Sequence, residues 1–213
     1  MAINRNGKHD ARHCVIIGAT GAGKSQAIKN LIPRRGVRLV AFDPDNDHGC
    51  IAYDSLGKFA KALKAADKSG KNYRISYTGA KNPEQFEAFC AMAWEVLDGN
   101  KDTHIILEEA AQFTASSGPA LEGLGNLLLR GRKYGAIIYT IGQRAAELPT
   151  TVRNNSAHKY VGVVEGLDDA KSATKLVDVK PEILMQTPPK ELRFWHRETG
   201  REPEYIQFEY MGE

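Results

Sequence analysis

The run Gly18-Ala19-Thr20-Gly21-Ala22-Gly23-Lys24-Ser25 fits the spacing G-x-x-x-x-G-K-[ST]. Residue types in this order suit one task, holding the phosphates of a nucleoside triphosphate. The glycines let the backbone curl so that successive N–H groups point inward at phosphate oxygens. Lys24 reaches the β- and γ-phosphates, the Ser25 hydroxyl is offered to Mg2+, and Gln26 completes the predicted binding set. A helix starting at the lysine would add the positive end of its dipole beneath the phosphates. The motif carries meaning only between a strand and a helix. Here an apolar run, Cys14-Val15-Ile16-Ile17, precedes it, and Ala27, Ile28, Leu31 and Ile32 follow at helical spacing.

A second group of residues could act on the bound phosphates. Ile105-Ile106-Leu107 is an apolar run ending in Glu108-Glu109. In a parallel sheet, the carboxyl end of such a strand faces the same crevice as the phosphate loop. One carboxylate there can hold Mg2+, usually through a water, while its neighbour polarises the attacking water. Glu108 takes the metal role and Glu109 the general-base role; the first acid of such a pair is usually Asp, so Glu108 departs from the pattern. A third apolar run, Ile137 to Ile141, leads to Gly142-Gln143-Arg144. The Gln143 amide could hydrogen-bond the γ-phosphate or the lytic water and report nucleotide state. Upstream lies the basic cluster Leu129-Arg130-Gly131-Arg132-Lys133-Tyr134-Gly135. Arg130 and Arg132 offer planar forks suited to phosphate, as an inserted arginine finger does. A basic last helical turn complementing the helix dipole would read the same way.

These residues need a frame to position them. Runs of strand length alternate with segments of helical period, predicting an α/β fold with a mainly parallel sheet flanked by helices. Strands are predicted at Cys14 to Ile17, Val37 to Phe42, Tyr73 to Tyr77, His104 to Leu107 and Ala136 to Ile141. Asp43-Pro44-Asp45-Asn46-Asp47 reads as a turn cluster closing the second of these. Helices are predicted from Ser55 to Lys68, with Ser55 as N-cap, from Pro83 behind Asn82, and from Leu121 to Lys133. Residues 1–12 form a polar extension, 13–191 the core, and 192–213 a β-rich appendage of the same domain. In that appendage Leu192 to Trp195 and Tyr205 to Tyr210 flank the turn Arg197-Glu198-Thr199-Gly200. Its aromatic residues, Phe194, Trp195, Tyr205, Phe208 and Tyr210, suit core packing, a subunit interface or the surroundings of a nucleotide base.

Composition sets the outer limits. A chain of 213 residues is the size of one α/β domain. A formal net charge of +3 is too small to mark a nucleic-acid binder by itself. Cys14, Cys50 and Cys90 are widely spaced with no C-x-x-C pair, which indicates neither a disulfide framework nor a zinc site. His48, His104, His158 and His196 are dispersed singly and suggest no metal. No apolar stretch approaches the length of a membrane span, and no signal-peptide core is visible, so a cytoplasmic location is expected.

The ordered set GATGAGKS, VAFDPD, IILEEAAQF and RGRKYGAIIYTIGQRAAELPTTVRNNS resembles the FtsK–HerA superfamily of polymer-pumping ATPases over roughly residues 13 to 165. The chain's small size makes it most similar to the genome-packaging ATPases of membrane-containing icosahedral viruses. The resemblance implies a RecA-like core with ATP and Mg2+ bound between subunits of a homo-oligomeric ring, expected to be a hexamer, that threads double-stranded DNA. It further implies that Lys24, Ser25, Glu108, Glu109 and Gln143 serve one side of each ATP site, with Arg130 or Arg132 acting on a neighbour's nucleotide. Asp43 matches an acid that ends the second strand in this group. A capsid or virion membrane protein is the implied partner, and the host-cell cytoplasm, with the virion as a further place, the implied location. Candidate DNA-facing segments are the loop around Ser116-Ser117-Gly118 and the stretch from Lys68 to Lys71; the lysine series Lys58, Lys61, Lys64, Lys68 and Lys71, of which Lys61, Lys64 and Lys68 share one helical face, suits a solvated amphipathic face at least as well. Two other classes fit the same residues: a phosphotransferase, which would need an Arg-rich lid that is not recognisable, and a nucleotide-driven assembly or protein-pumping factor.

Overall fold

The residues with the longest apolar runs lie side by side in one sheet. The computed structural model describes residues 1–116 and 120–212. Along the chain come β1 (Cys14–Ile17), α1 (Lys24–Leu31), β2 (Arg38–Phe42), β3 (Ile51–Tyr53), α2 (Leu56–Lys68), β4 (Tyr73–Tyr77), α3 (Pro83–Glu95) and β5 (Thr103–Leu107). They are followed by α4 (Glu122–Arg130), β6 (Ala136–Gly142), α5 (Thr150–Asn155), β7 (His158–Val161), α6 (Leu167–Val177), α7 (Pro181–Leu184), β8 (Arg193–Glu198) and β9 (Glu204–Gln207). The nine strands form one sheet in the order β3-β4-β2-β5-β6-β1-β7-β8-β9. Pairings from β3 across to β7 are all parallel, and β8 and β9 extend the β7 edge antiparallel. This is the mainly parallel α/β architecture that the alternating pattern predicts.

Every residue of β1, β2, β5 and β6 is buried, as strands covered by helices on both faces require. On one face Phe42 sits among Phe86, Phe89 and Phe113, with ring centroids 4.9, 5.4 and 5.2 Å away and edge-on geometry. On the other, Ile28 of α1 and Ile32 just past its end pack with Ile16, Leu39 and Ile106. Both clusters fix the carboxyl ends of β1, β2 and β5, which carry the polar residues.

The termini of the elements follow local chemistry. Asn82 caps α3 by accepting from the Gln85 N–H at 2.9 Å, with Pro83 at the first helical position. Ser55 stands at the start of α2 but its side chain makes no capping bond. The predicted helix to Lys133 is α-helical only to Arg130 and tightens into a 3-10 turn over Gly131–Tyr134, ended by Gly135 at φ 81°. The predicted hairpin is formed by β8 and β9; Phe194 is buried in it, whereas Tyr205 and Tyr210 are exposed. Phe194 packs against Phe208, and Trp195 against Tyr205. Strands β3 and β7 and helices α5 to α7 have no counterpart in the sequence reading. The three cysteines are free. Among the described residues, no helix is long and apolar enough to cross a membrane.

Candidate nucleotide site

The phosphate loop runs from the end of β1 into α1, so the strand–loop–helix context is met. Gly21 and Gly23 have φ of 77° and 88°, a region that side-chain-bearing residues avoid, and this turns the loop back on itself. Helix α1 begins at Lys24 with no side-chain cap, leaving its first N–H groups for a ligand. The Lys24 Nζ donates to the Gly18 and Ala19 carbonyls at 2.8 and 3.1 Å, which holds the ammonium across the mouth of the loop. Burial lowers the pKa of Lys24, while the charges of Glu109, Glu108 and Glu165 oppose that shift. The ammonium therefore already faces the two glutamates predicted to share its work.

Strand β6 lies between β1 and β5. Its carboxyl end thus falls between the phosphate loop and the acid pair. Gln143 follows it directly, and its Nε2 donates to Glu109 Oε1 at 3.4 Å. Gln112 donates to the other Glu109 oxygen, also at 3.4 Å. Glu109 adopts φ 50°, a left-handed conformation uncommon for this residue type and characteristic of strained functional turns. The structure therefore brings Lys24, Glu109 and Gln143 to one crevice.

Glu108 is placed differently from its neighbour. It is buried, its N–H donates to the Phe42 carbonyl at 3.0 Å, and its Oε2 lies 2.6 Å from His48 Nε2. Burial disfavours the charged form of His48, but the bond to Glu108 and the charges of Glu108, Asp43 and Asp47 outweigh it, leaving the pKa raised. Asp43 is fully buried and accepts from the Asp47 and His48 N–H groups at 2.9 and 3.2 Å. Asp43, His48 and Glu108 offer ligand atoms within 4.8 Å of one another. Ser25 Oγ donates to Asp47 Oδ2 at 3.5 Å. Sequence reasoning left His48 unassigned and read Asp47 only as part of a turn. The signal was a run of acids ending a strand that pairs with the Glu108 strand, but pairing order is not visible in a single sequence.

The arginine candidates lie elsewhere. Arg130 and Arg132 precede β6, at the amino ends of the parallel strands; the phosphate loop is at the opposite edge, the length of a seven-residue strand away, about 20 Å. Arg130 is exposed, its guanidinium 5.4 Å above the Trp94 ring. Arg132 donates to the Gly7 and His9 carbonyls and so ties down the N-terminal segment. Neither reaches the phosphate loop of this chain. Lys58, Lys61, Lys64, Lys68 and Lys71 are all exposed, on or just past α2. In the other proposed DNA-facing segment, Ser117 and Gly118 lie outside the described residues.

The cradle fits Mg2+-ATP: free helix N–H groups, a lysine across the loop and hard oxygen donors at Ser25, Asp47 and Glu108. Loop, sheet order and strand-end residues together define the class as a P-loop nucleoside-triphosphatase fold. No family model matches the chain. Its sequence is similar to protein P9 of Pseudoalteromonas phage PM2, 29% identical over 196 residues, covering 90% of this chain and 88% of that one. Its fold is similar to the genome-packaging NTPase B204 from Sulfolobus turreted icosahedral virus 2 in complex with AMPPCP, at TM-score 0.74 and 15% identity, covering 95% of this chain and 98% of that one. VirB4 of Thermoanaerobacter pseudethanolicus matches at TM-score 0.66 and 15% identity, covering 97% and 92% respectively. The likeness to viral genome-packaging ATPases implied by the motifs is thus found in the fold.

Proposed function

We propose that this chain is an ATP-driven DNA translocase, a packaging motor that hydrolyses ATP to move double-stranded DNA into a viral capsid. The observation that carries the hydrolytic part is the meeting of Glu109 and Gln143 beside the phosphate loop. The likeness to B204 and to a phage protein supports the polymer and the setting.

The residues divide the chemistry as follows. The N–H groups from Gly21 to Gln26 hold the phosphate chain, and the Lys24 ammonium moves from the Gly18 and Ala19 carbonyls to the β- and γ-oxygens. Ser25 and Glu108 would hold Mg2+, which would supply positive charge against the charge that builds on the phosphate oxygens. Glu109, on its strained turn, accepts the proton of the attacking water. Gln143 hydrogen-bonds that water and Glu109 together, and transmits loss of the γ-phosphate into the Arg144 segment. Arg144 is tied by ion pairs to Asp169 at 2.6 Å and Glu147 at 3.1 Å, so movement of Gln143 would be felt in α6.

We assign Arg130 or Arg132, both remote from this chain's own phosphate loop, to a neighbour's nucleotide in a ring, for which a hexamer is our working stoichiometry. We place the protein in the host cytoplasm, docking onto a capsid or virion membrane protein. The test is steady-state hydrolysis with and without double-stranded DNA across a salt series. Stimulation of several-fold that falls with salt supports a translocase, because phosphate contacts release counterions. Hydrolysis at full rate and indifferent to DNA would move the assignment to a protein-pumping or assembly ATPase.

A further inference from the structure

A serine hydroxyl that binds a metal ion through an oxygen lone pair still carries its hydrogen, which needs an acceptor. Here the acceptor is Asp47, 3.5 Å from Ser25 Oγ. Glu108, the acid nominally on the metal side, has one oxygen taken by His48 Nε2 at 2.6 Å. Its other oxygen has no protein hydrogen-bond partner among the described residues. The β2–β3 loop therefore touches both residues predicted to face the ion, one through Asp47 and the other through His48.

The loop is built to hold that position. The buried Asp43 carboxylate accepts the backbone N–H groups of the same two residues, Asp47 and His48. Asn46 stands at φ 60°, with its N–H on the Asp43 carbonyl. From β4, Arg74 donates to the His48 carbonyl at 3.3 Å. Both Asp43 oxygens and His48 Nε2 are engaged in hydrogen bonds, whereas buried His48 Nδ1 and the second Glu108 oxygen have no protein partner among the described residues. The bonds that are made fix where His48 and Glu108 stand.

We propose that the β2–β3 loop is the third arm of the Mg2+ site: Asp47 orients the Ser25 hydroxyl and adds a carboxylate to the ion's hydration shell, and His48 is a positioning residue that points the free oxygen of Glu108 at the same ion. This rests on the ATPase reading above. It also accounts for a glutamate at position 108 where an aspartate is usual, since the shorter acid's place beside the serine is filled from the β2–β3 loop.

The experiment is a Mn2+ titration followed by electron paramagnetic resonance, on full-length protein saturated with a non-hydrolysable ATP analogue. Asp47→Asn, an isosteric change on an exposed side chain, and His48→Ala should each weaken Mn2+ binding about ten-fold, the usual cost of removing an outer-shell partner. Analogue affinity measured in chelator should be unchanged in both. His48→Gln, which keeps an N–H donor at the reach of Nε2, should restore Mn2+ binding to within about three-fold of wild type, as expected if orienting a ligand is what counts. Wild-type Mn2+ binding in Asp47→Asn and His48→Ala, with Ser25→Ala weakened, would overturn the proposal and leave the loop a mere support. If His48→Ala does not fold, Asp47→Asn decides alone. If Lys24→Ala still binds the analogue, the ATPase reading has failed, and the proposal falls with it.

Discussion

Asp43 is the residue on which the geometry of the β2–β3 loop depends, and its replacement gives a sharp prediction. Both carboxylate oxygens are used, one on the Asp47 N–H at 2.9 Å and one on the His48 N–H at 3.2 Å, and the side chain is fully buried. Asp43→Asn keeps the shape but turns one acceptor into an NH2 donor facing an N–H. One charge-assisted bond is lost, the other becomes neutral, and a buried donor has no partner, which together cost about 3 kcal/mol. For a chain of this length each kcal/mol lowers Tm by about 2–4 °C, so the melt should shift down by about 6–12 °C. The assay is differential scanning calorimetry of wild type, Asp43→Asn and Asp43→Ala. The loop should also loosen before the core, so amide exchange at Asp47 and His48 should rise more than at Phe42. A melt for Asp43→Asn within 2 °C of wild type, with unchanged exchange at Asp47 and His48, would refute the reasoning.

Other outcomes follow from the same structure. His13 and His104 are held down at about 4, each chiefly by burial, with the charges of Arg132 and Arg12 adding to the shift at His13. Their unfolded forms take up protons first, so each removes stability as pH falls from about 6.5 towards 4, up to about 3 kcal/mol apiece, and nothing above that window. His48, raised in the fold, contributes with the opposite sign. Urea midpoints should therefore drop across that window, and more shallowly in a His13→Asn, His104→Asn double variant. Burial pushes the Cys14 and Cys50 thiols up to about 12 and Cys90 well above its ordinary value, so a thiol reagent near pH 8 should label the native protein slowly and all three cysteines after denaturation. Arg132→Ala should raise amide exchange in the N-terminal segment, whereas exposed Arg130→Ala should leave stability within about 0.5 kcal/mol of wild type.

What the sequence made legible follows from where its signals were strong. Strands β1, β2, β5 and β6 are apolar throughout because both faces are covered, and such runs stand out. The residues after three of them, from Gly18, Glu108 and Gln143, were readable as chemistry because each follows a strand end. Strand β7, His158–Val161, opens with a histidine and a lysine, and β3 has only three residues with exposed Ile51 and Ala52, so neither carries a pattern. Helix α6 has a usable apolar stripe, at Ala170, Ala173, Leu176 and Val177, but two small alanines make it faint. In the site, the pairing of β2 with β5 puts Phe42 beside Leu107, and hence Asp43 beside Glu108. That register is a tertiary fact, which is why His48 and Asp47 stayed out of view although their residue types were right. Arg130 and Arg132 stood out by type and spacing alone, and only the sheet direction shows them remote from this chain's own phosphate loop.

The most direct measurement compares Glu109→Gln with wild type for ATP binding and for turnover in the presence of Mg2+ and double-stranded DNA. Removing a general base while keeping shape and hydrogen bonding should leave ATP affinity within about three-fold and lower kcat by about 10²-fold or more. Lys24→Ala, by contrast, should lose the nucleotide itself. Normal turnover by Glu109→Gln would contradict the assignment of the strand-end glutamate as the group that activates water.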